Sequence, residues 1–99
     1  MNSKSKPRKI VYITGTRADY GLMRNTLKAI DKSQGLDLHL IVVGMHLQKE
    51  YGMSVEDIEK DGFKIASRIK PFSNKDTGAD MAKTVGGYIN DIAQAFEQL

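Results

Sequence analysis

Short runs of β-branched and apolar residues alternate along the chain with longer stretches in which apolar residues recur at helical spacing. The short runs, which predict strands, cover residues 9–14, 37–43 and 63–69. The second run ends in Leu-Ile-Val-Val, which is apolar on both faces, as in a strand covered by helices on both sides. Because a helical stretch follows each run, we predict an α/β fold with a parallel sheet and the order β-α-β-α-β-α.

The first predicted helix presents one apolar face. Steps of three and four residues separate the members of this face, Tyr20, Met23, Leu27 and Ile30. Asp19 is the predicted N-cap, because an aspartate side chain can accept a hydrogen bond from the first turn of a helix. Gly35 is the predicted end of this helix.

The second predicted helix is short. Ser54 is its predicted N-cap, acidic residues follow in its first turn, and Gly62 ends it. Pro71 closes the third strand, and residues 72–77 are predicted to form a loop.

The third predicted helix begins at Gly78 and continues to the last residue. Its apolar face consists of Met81, Val85, Tyr88, Ile92, Phe96 and Leu99. The pair Gly86-Gly87 inside it costs about 1 kcal/mol per glycine relative to alanine. Either close packing against another backbone or a kink would explain this pair.

Length and composition fit one small domain. The chain has 99 residues, of which 40% are hydrophobic and 27% charged, and it contains no cysteine. The missing cysteines exclude disulfides and thiolate–metal sites and fit a reducing, cytoplasmic compartment. No apolar stretch approaches the roughly 20 residues of a membrane helix. The basic N-terminal segment has no long apolar core behind it, so neither a secretory signal nor membrane association is expected.

Much of the net charge of +3 lies near the N-terminus. The basic residues there are Lys4, Lys6, Arg8 and Lys9. We predict that residues 1–8 form a disordered, solvated tail and that residues 9–99 form the domain. No aromatic side chains interleave these charges, so nucleic-acid binding is not expected.

A glycine-bounded turn follows the first strand. In parallel α/β folds, ligands bind at the carboxyl ends of the strands, and the start of the next helix favours an anion. Arg17, between Gly15 and Gly21, adds a forked donor suited to phosphate. The spacing fits neither a Walker loop nor the G-x-G-x-x-G fingerprint. The alternative is a plain strand–helix turn in which Arg17 and Asp19 pair with each other at the surface.

A histidine, His46, follows the second strand and is expected at the same sheet edge as the first turn. A lone histidine is more often structural than catalytic, but its place beside a candidate phosphate site makes it a candidate for function. His39 lies within the second strand and is predicted to have no role in chemistry.

Three segments together resemble the hydrolysing UDP-N-acetylglucosamine 2-epimerase family. They are TGTRADYGLMR at 14–24, VVGMHLQKEYGMSVEDIEKDGF at 42–63, and the helix ending AFEQL. The resemblance implies the N-terminal portion of a glycosyltransferase-B-type fold, built from two Rossmann-like halves with the substrate between them. It also implies anti elimination of UDP from UDP-N-acetylglucosamine to a 2-acetamidoglucal, followed by addition of water to give N-acetylmannosamine, as in sialic-acid biosynthesis. No NAD and no structural metal is expected.

The resemblance also implies roles for individual residues. Arg17 would belong to the site of the UDP diphosphate, with Gly15, Thr16 and Gly21 shaping the turn around it. Asp19 would hold the turn or contact the sugar. His46 would lie near the reacting sugar as acid, base or orienting group.

Ala18 after the arginine, and Leu22 where non-hydrolysing relatives have a lysine, favour the hydrolysing branch. The family pattern continues with acidic catalytic residues and a second domain, so we expect this chain to be inactive alone. A nucleotide-sugar or anion-binding module and a related glycosyltransferase of the same fold are the alternatives.

An open strand edge predicts self-association, as a homo-oligomer.

Overall fold

The computed structural model describes residues 7–48, 52–71 and 77–99. Within them a parallel sheet alternates with helices, as predicted. The strands are β1 (Arg8–Thr14), β2 (Leu36–Val43) and β3 (Ile65–Ile69). The helices are α1 (Arg17–Lys32), α2 (Val55–Lys60) and α3 (Gly78–Gln98), and a 3-10 turn, Gly44–Leu47, follows β2. Within the described ranges, no helix is long and apolar enough to cross a membrane.

The strand order is β1-β2-β3, which places β2 in the centre of the sheet. Thr14 pairs with Val42, and Val43 pairs with Ile69. This register brings the carboxyl ends of the three strands to one edge of the sheet. The predicted parallel α/β arrangement is therefore confirmed.

The core has two parts, one on each face of the sheet. Side chains alternate along β2, so that Leu38, Leu40 and Val42 face α1 and α2, whereas Ile41 and Val43 face α3. The larger cluster joins these first three residues to Tyr20, Leu27, Leu47, Val55, Ile58 and Phe63. The smaller cluster adds Ile69 and Ala95. The sheet is therefore the middle of three layers, and β2 is covered on both faces.

The predicted face of α1 is confirmed, because Tyr20 and Leu27 are buried and Met23 and Ile30 pack against them. The predicted face of α3 is covered only in part. Its covered members, Tyr88 and Ile92, pack on the smaller cluster. Apolar residues along the rest of the helix are mostly exposed: Met81, Val85, Ile89 and Phe96.

Several predicted boundaries differ from the structure. The predicted N-cap Asp19 is wrong, because Thr16 caps α1 and Asp19 is the third residue of the helix. The helix ends at Lys32 with Ser33 as C-cap, before Gly35 is reached. β1 already begins at Arg8, inside the predicted tail.

β3 begins at Ile65, two residues after the predicted start, and Phe63 fills the core beside it. Ser54 and Gly78 are positioned as predicted, the first as N-cap of α2 and the second at the start of α3. Most of the predicted loop over residues 72–77 lies outside the described residues. Its last member, Thr77, caps α3 by accepting a hydrogen bond from the backbone of Asp80.

The glycine pair in α3 is not explained by close packing within the described residues. Neither Gly86 nor Gly87 has an atom within 4 Å of the position that a Cβ would take. Gly44 is different, because its φ is +64° and the Tyr88 hydroxyl lies 2.8 Å from its would-be Cβ. A side chain at Gly44 would therefore strain the backbone and push the Tyr88 hydroxyl out of its place.

Candidate functional site

The β1–α1 turn and the 3-10 turn after β2 lie side by side at the carboxyl edge of the sheet. The Gly15 carbonyl oxygen lies 3.9 Å from the position that a Cβ on Gly44 would take. A side-chain methyl carbon of Val43 lies 3.5 Å from the position that a Cβ on Gly15 would take. The structure thus brings together the two segments that the sequence nominated. Ligands of open parallel sheets bind at this edge.

Asp19 organises the β1–α1 turn. Its Oδ2 accepts hydrogen bonds from the backbone of Gly15 at 3.1 Å and of Thr16 at 2.8 Å, and from the Thr16 hydroxyl at 3.0 Å. Its Oδ1 accepts from the hydroxyl of Tyr12 at 2.9 Å and from that of Thr14. The Asp19 backbone donates in return to the Thr16 hydroxyl, which completes a capping box. Asp19 therefore holds the turn, which is one of its two expected roles.

These contacts determine the charge of the site. Burial by itself would raise the pKa of Asp19, but hydrogen bonds from Thr14, the Thr16 backbone, Tyr12 and the Gly15 backbone lower it below its ordinary value. Burial, together with the hydrogen bond to Asp19, raises the pKa of Tyr12 to about 12. Asp19 is thus an anion at neutral pH, and the tyrosine is a neutral donor to it.

His46 is fully buried, and hydrogen bonds occupy both of its ring nitrogens. Its Nε2 lies 2.9 Å from the Thr14 hydroxyl and its Nδ1 lies 2.7 Å from the Ser54 hydroxyl. The Tyr20 ring packs edge-on at a centroid distance of 6.3 Å. Burial lowers the pKa of His46 and outweighs the opposing effect of the Asp19 carboxylate. The imidazole is therefore neutral and points into the protein.

Arg17 is the exposed cation of the site. Its side chain is 69% exposed, and its Nη2 lies 3.1 Å from Oδ2 of Asp57 at the start of α2. The alternative in which Arg17 pairs with Asp19 is therefore wrong, because Asp19 is already saturated by hydroxyl and backbone donors.

A groove of about 340 Å³ runs between α1 and α2 beside Arg17. Its lining residues are Arg17, Tyr20, Gly21, Arg24, Asp57, Lys60 and Asp61. Arg24 binds Asp61 with two nitrogens, at 2.7 and 2.8 Å, and the Tyr20 hydroxyl donates to the same carboxylate. Gly21 lies inside α1 on the wall of this groove, so the prediction that it shapes the turn itself is wrong.

The backbone donors available to an anion are fewer than the glycine-bounded turn suggests. The Asp19 carboxylate accepts from the amides of Gly15 and Thr16. The amide of Asp19 donates to the Thr16 hydroxyl in the capping box. Amides in the first turn of a helix have no partner within that helix. The amides of Arg17 and Ala18, the first two residues of α1, therefore have no partner within the helix.

Thr14 and Ser54 are the residues that sequence reasoning missed. The spacing Thr16-x-x-Asp19, an aspartate version of the capping box, was a signal for the turn. No comparable signal marks Thr14, which ends β1, or Ser54, whose predicted side-chain cap bond is absent. Within the described ranges no cluster of histidine and acidic residues could hold a metal ion.

The sequence is similar to known sugar-nucleotide epimerases. It is 43% identical over 90 residues to UDP-N,N'-diacetylbacillosamine 2-epimerase (hydrolyzing) of Legionella pneumophila, matching 91% of this chain and 24% of that protein. It is 34% identical over 92 residues to UDP-N-acetylglucosamine 2-epimerase of Neisseria meningitidis, matching 93% and 24%. It is 41% identical over 89 residues to polysialic acid biosynthesis protein P7 of Escherichia coli, matching 90% and 23%. No family model matches the chain.

These similarities confirm the predicted resemblance to hydrolysing UDP-N-acetylglucosamine 2-epimerases. They extend over about nine tenths of the chain, well beyond the three segments that first indicated them. The chain spans about a quarter of the length of these relatives.

Proposed function

We propose, from this similarity, that the chain is the N-terminal part of a hydrolysing 2-epimerase acting on a UDP-linked N-acetylated sugar. In the reaction that the resemblance implies, the bond between C1 and the diphosphate oxygen breaks as C2 loses its proton, which gives the glycal and UDP. Water then adds across the double bond. Its hydroxyl bonds to C1, and C2 receives a proton on the face opposite to the one that lost its proton, which inverts C2. UDP-N-acetylglucosamine would thereby give N-acetylmannosamine.

The observation that carries this proposal is the position of Arg17. Its exposed guanidinium belongs to the first residue of α1, at the carboxyl edge of a parallel sheet, where the first amides of the helix have no intrahelical partner. A guanidinium matches the oxygens of a phosphate and neutralises charge on a departing diphosphate. We assign to Arg17 the binding of the UDP diphosphate.

The ion pair with Asp57 does not oppose this assignment. Both side chains are more than half exposed, and exposed pairs contribute only about 0–1 kcal/mol. A diphosphate carries more charge than one carboxylate and accepts hydrogen bonds from the amides of Arg17 and Ala18 as well. We therefore expect UDP to displace Asp57 from the guanidinium.

The other nominated residues support the site in different ways. Asp19 holds Gly15 and Thr16 in one conformation, so these three shape the turn without donating to the ligand. Gly21 leaves the wall of the groove open. His46, which is buried, acts through its neighbours as a positioning residue. A sequence without cysteine fits a cytoplasmic location for such an enzyme.

UDP-N,N'-diacetylbacillosamine is the alternative candidate for the substrate. The identity to the Legionella epimerase named for this sugar is 43%, compared with 34% to the Neisseria enzyme named for UDP-N-acetylglucosamine. Both substrates share the UDP group, so the role of Arg17 is the same for either.

Binding of UDP to the chain tests the proposal. We expect calorimetry to show saturable binding of UDP, weaker binding of uridine, and at least a tenfold loss of UDP affinity in Arg17→Ala, the loss of about 1.4 kcal/mol. Arg8→Ala is the matched control, because Arg8 is an exposed arginine at the opposite end of β1. Equal UDP affinity in the two variants would contradict the assignment.

Release of UDP from the two UDP-sugars separates the functional alternatives. We expect no UDP release from this chain alone, because the acidic catalytic residues that the resemblance implies belong to a later part of the family pattern. UDP binding without turnover by any longer protein containing this chain would favour a nucleotide-binding module instead.

A further inference from the structure

A continuous chain of hydrogen bonds links the starts of α1 and α2 through the ends of two strands. It runs from Ser54 to His46, from His46 to Thr14, and from Thr14 to Asp19. The first three side chains are buried. The diphosphate site on Arg17 makes no direct use of Ser54 or Thr14, so their conjunction with a buried histidine has a separate explanation.

The donor and the acceptor in each of these hydrogen bonds follow from Asp19, at the end of the series. Ionised Asp19 has no proton to give, so the Thr14 hydroxyl donates to it. Thr14 has only one proton, so its oxygen accepts at the other contact, and the proton between it and His46 lies on Nε2. The Nδ1 atom is then an acceptor, and the Ser54 hydroxyl must donate to it.

The opposite tautomer would break this order. With the proton on Nδ1, the bare Nε2 would need a donor, and Thr14 could supply one only by withdrawing its proton from Asp19. Asp19 would lose one of the two hydroxyl donors to its Oδ1. The tautomer of a buried histidine is therefore coupled to the carboxylate that shapes the β1–α1 turn.

We propose that Thr14 and Ser54 are positioning residues: Thr14 holds His46 as the neutral Nε2–H tautomer, Ser54 anchors the other side of the ring, and together they keep Asp19 and the β1–α1 turn in the conformation that binds UDP. The ligand in this statement rests on the proposed function, whereas the tautomer and the turn geometry do not. Burial keeps the imidazole neutral, which the arrangement requires, since a protonated ring would present two donors.

Of the two positioning residues, only Thr14 is expected to determine the tautomer. In Thr14→Val the Nε2 proton loses the Thr14 oxygen as its acceptor, and we expect the proton to move to Nδ1, which then donates to Ser54. In Ser54→Ala the contact to Thr14 remains, and we expect the Nε2–H tautomer to persist. Nitrogen-15 spectra of the imidazoles report this directly. The chain has two histidines, so His39→Gln identifies the signals of His46.

A wild-type Nδ1–H tautomer, or an unchanged tautomer in a folded Thr14→Val variant, would overturn the proposal. Neither reading needs a ligand. If the wild-type chain fails to bind UDP, the proposed function fails, and the spectra still decide whether the tautomer is held as described.

The effect on the turn is tested in the Ser54 variants. We expect Ser54→Ala to raise the exchange rates of the Gly15 and Thr16 amides, which bond to Asp19, and to weaken UDP binding about fivefold. Ser54→Thr retains the donor and should restore both. Cooperative unfolding of each variant shows that it is folded. Wild-type exchange and UDP affinity in folded Ser54→Ala would show that Ser54 does not position the turn.

Discussion

The geometry of the β1–α1 turn depends on Asp19, because one carboxylate accepts from two backbone amides and three hydroxyls. Asp19→Asn should lower the free energy of unfolding by about 2 kcal/mol, since an amide replaces an acceptor oxygen and faces donors. Asp31→Asn, on the exposed side of the same helix, should have little effect. Urea denaturation at pH 7 measures both, and equal losses would contradict the role given to Asp19.

Sequence reasoning located the β1–α1 turn but not the hydrogen bonds that hold it. Residue types and spacing nominated Arg17, Asp19 and His46, because charged and titratable groups after buried strands are visible in the sequence alone. Which donor meets which acceptor depends on the register of β1 and β2, which places Thr14 opposite Val42 and next to the following 3-10 turn. That register is not encoded in any local motif, so Thr14 and Ser54 were missed.

At the scale of elements, α1 and α2 are joined by a carboxylate with a strongly shifted pKa. Hydrogen bonding from Arg24, together with Tyr20, lowers the pKa of Asp61 to about 2. A carboxyl with a lowered folded-state pKa stabilises the fold above its unfolded pKa of about 4, and this contribution is lost as the pH falls toward 2. We therefore expect Asp61→Asn to flatten the dependence of stability on pH between about 4 and 2.

Acid denaturation followed by circular dichroism measures this dependence. Glu56→Gln is the control, because Glu56 is an exposed acid of α2, the helix that Asp61 caps. A wild-type slope in Asp61→Asn would show that the contact between α1 and α2 does not depend on this charge.

The glycine pair of α3 gives a second prediction at this scale. Because no described atom lies near the would-be Cβ of Gly86 or Gly87, alanine at each should stabilise the chain by about 0.5–1 kcal/mol. Gly44→Ala should instead destabilise it, because the φ of +64° is unfavourable for alanine and the Tyr88 hydroxyl must move. Thermal unfolding of the three variants tests this, and a loss of stability in the pair would reveal a packed face there.

The elements themselves were largely predictable from the chain, because apolar periodicity records which face of each element is buried. The face of α1 and the doubly covered β2 followed from that pattern. The N-cap of α1 was misassigned because Thr16 and Asp19 can both cap, and only their reciprocal bonds decide. The apolar pattern of α3 predicts one continuous buried face, whereas Met81, Val85 and Phe96 are each more than half exposed.

For the whole molecule, that exposed stripe favours self-association. Met81, Val85, Ile89 and Phe96 are each more than half exposed on one helix, and β1 is an edge strand of the sheet. We expect sedimentation velocity to show a dimer of the 99-residue chain at high concentration. Ile89→Lys should shift it toward monomer, while Asn90→Lys, beside it, should not. A monomer at all concentrations would contradict this expectation.

The proposed site is the start of α1, where the Arg17 guanidinium would bind the diphosphate of a UDP-sugar. The most direct measurement is an NMR titration of the chain with UDP that follows every backbone amide. We expect saturable shifts centred on Arg17 and Ala18, smaller shifts with uridine, and at least tenfold weaker binding in Arg17→Ala. Shifts centred on another part of the chain, or a titration with no saturable change, would contradict the proposal.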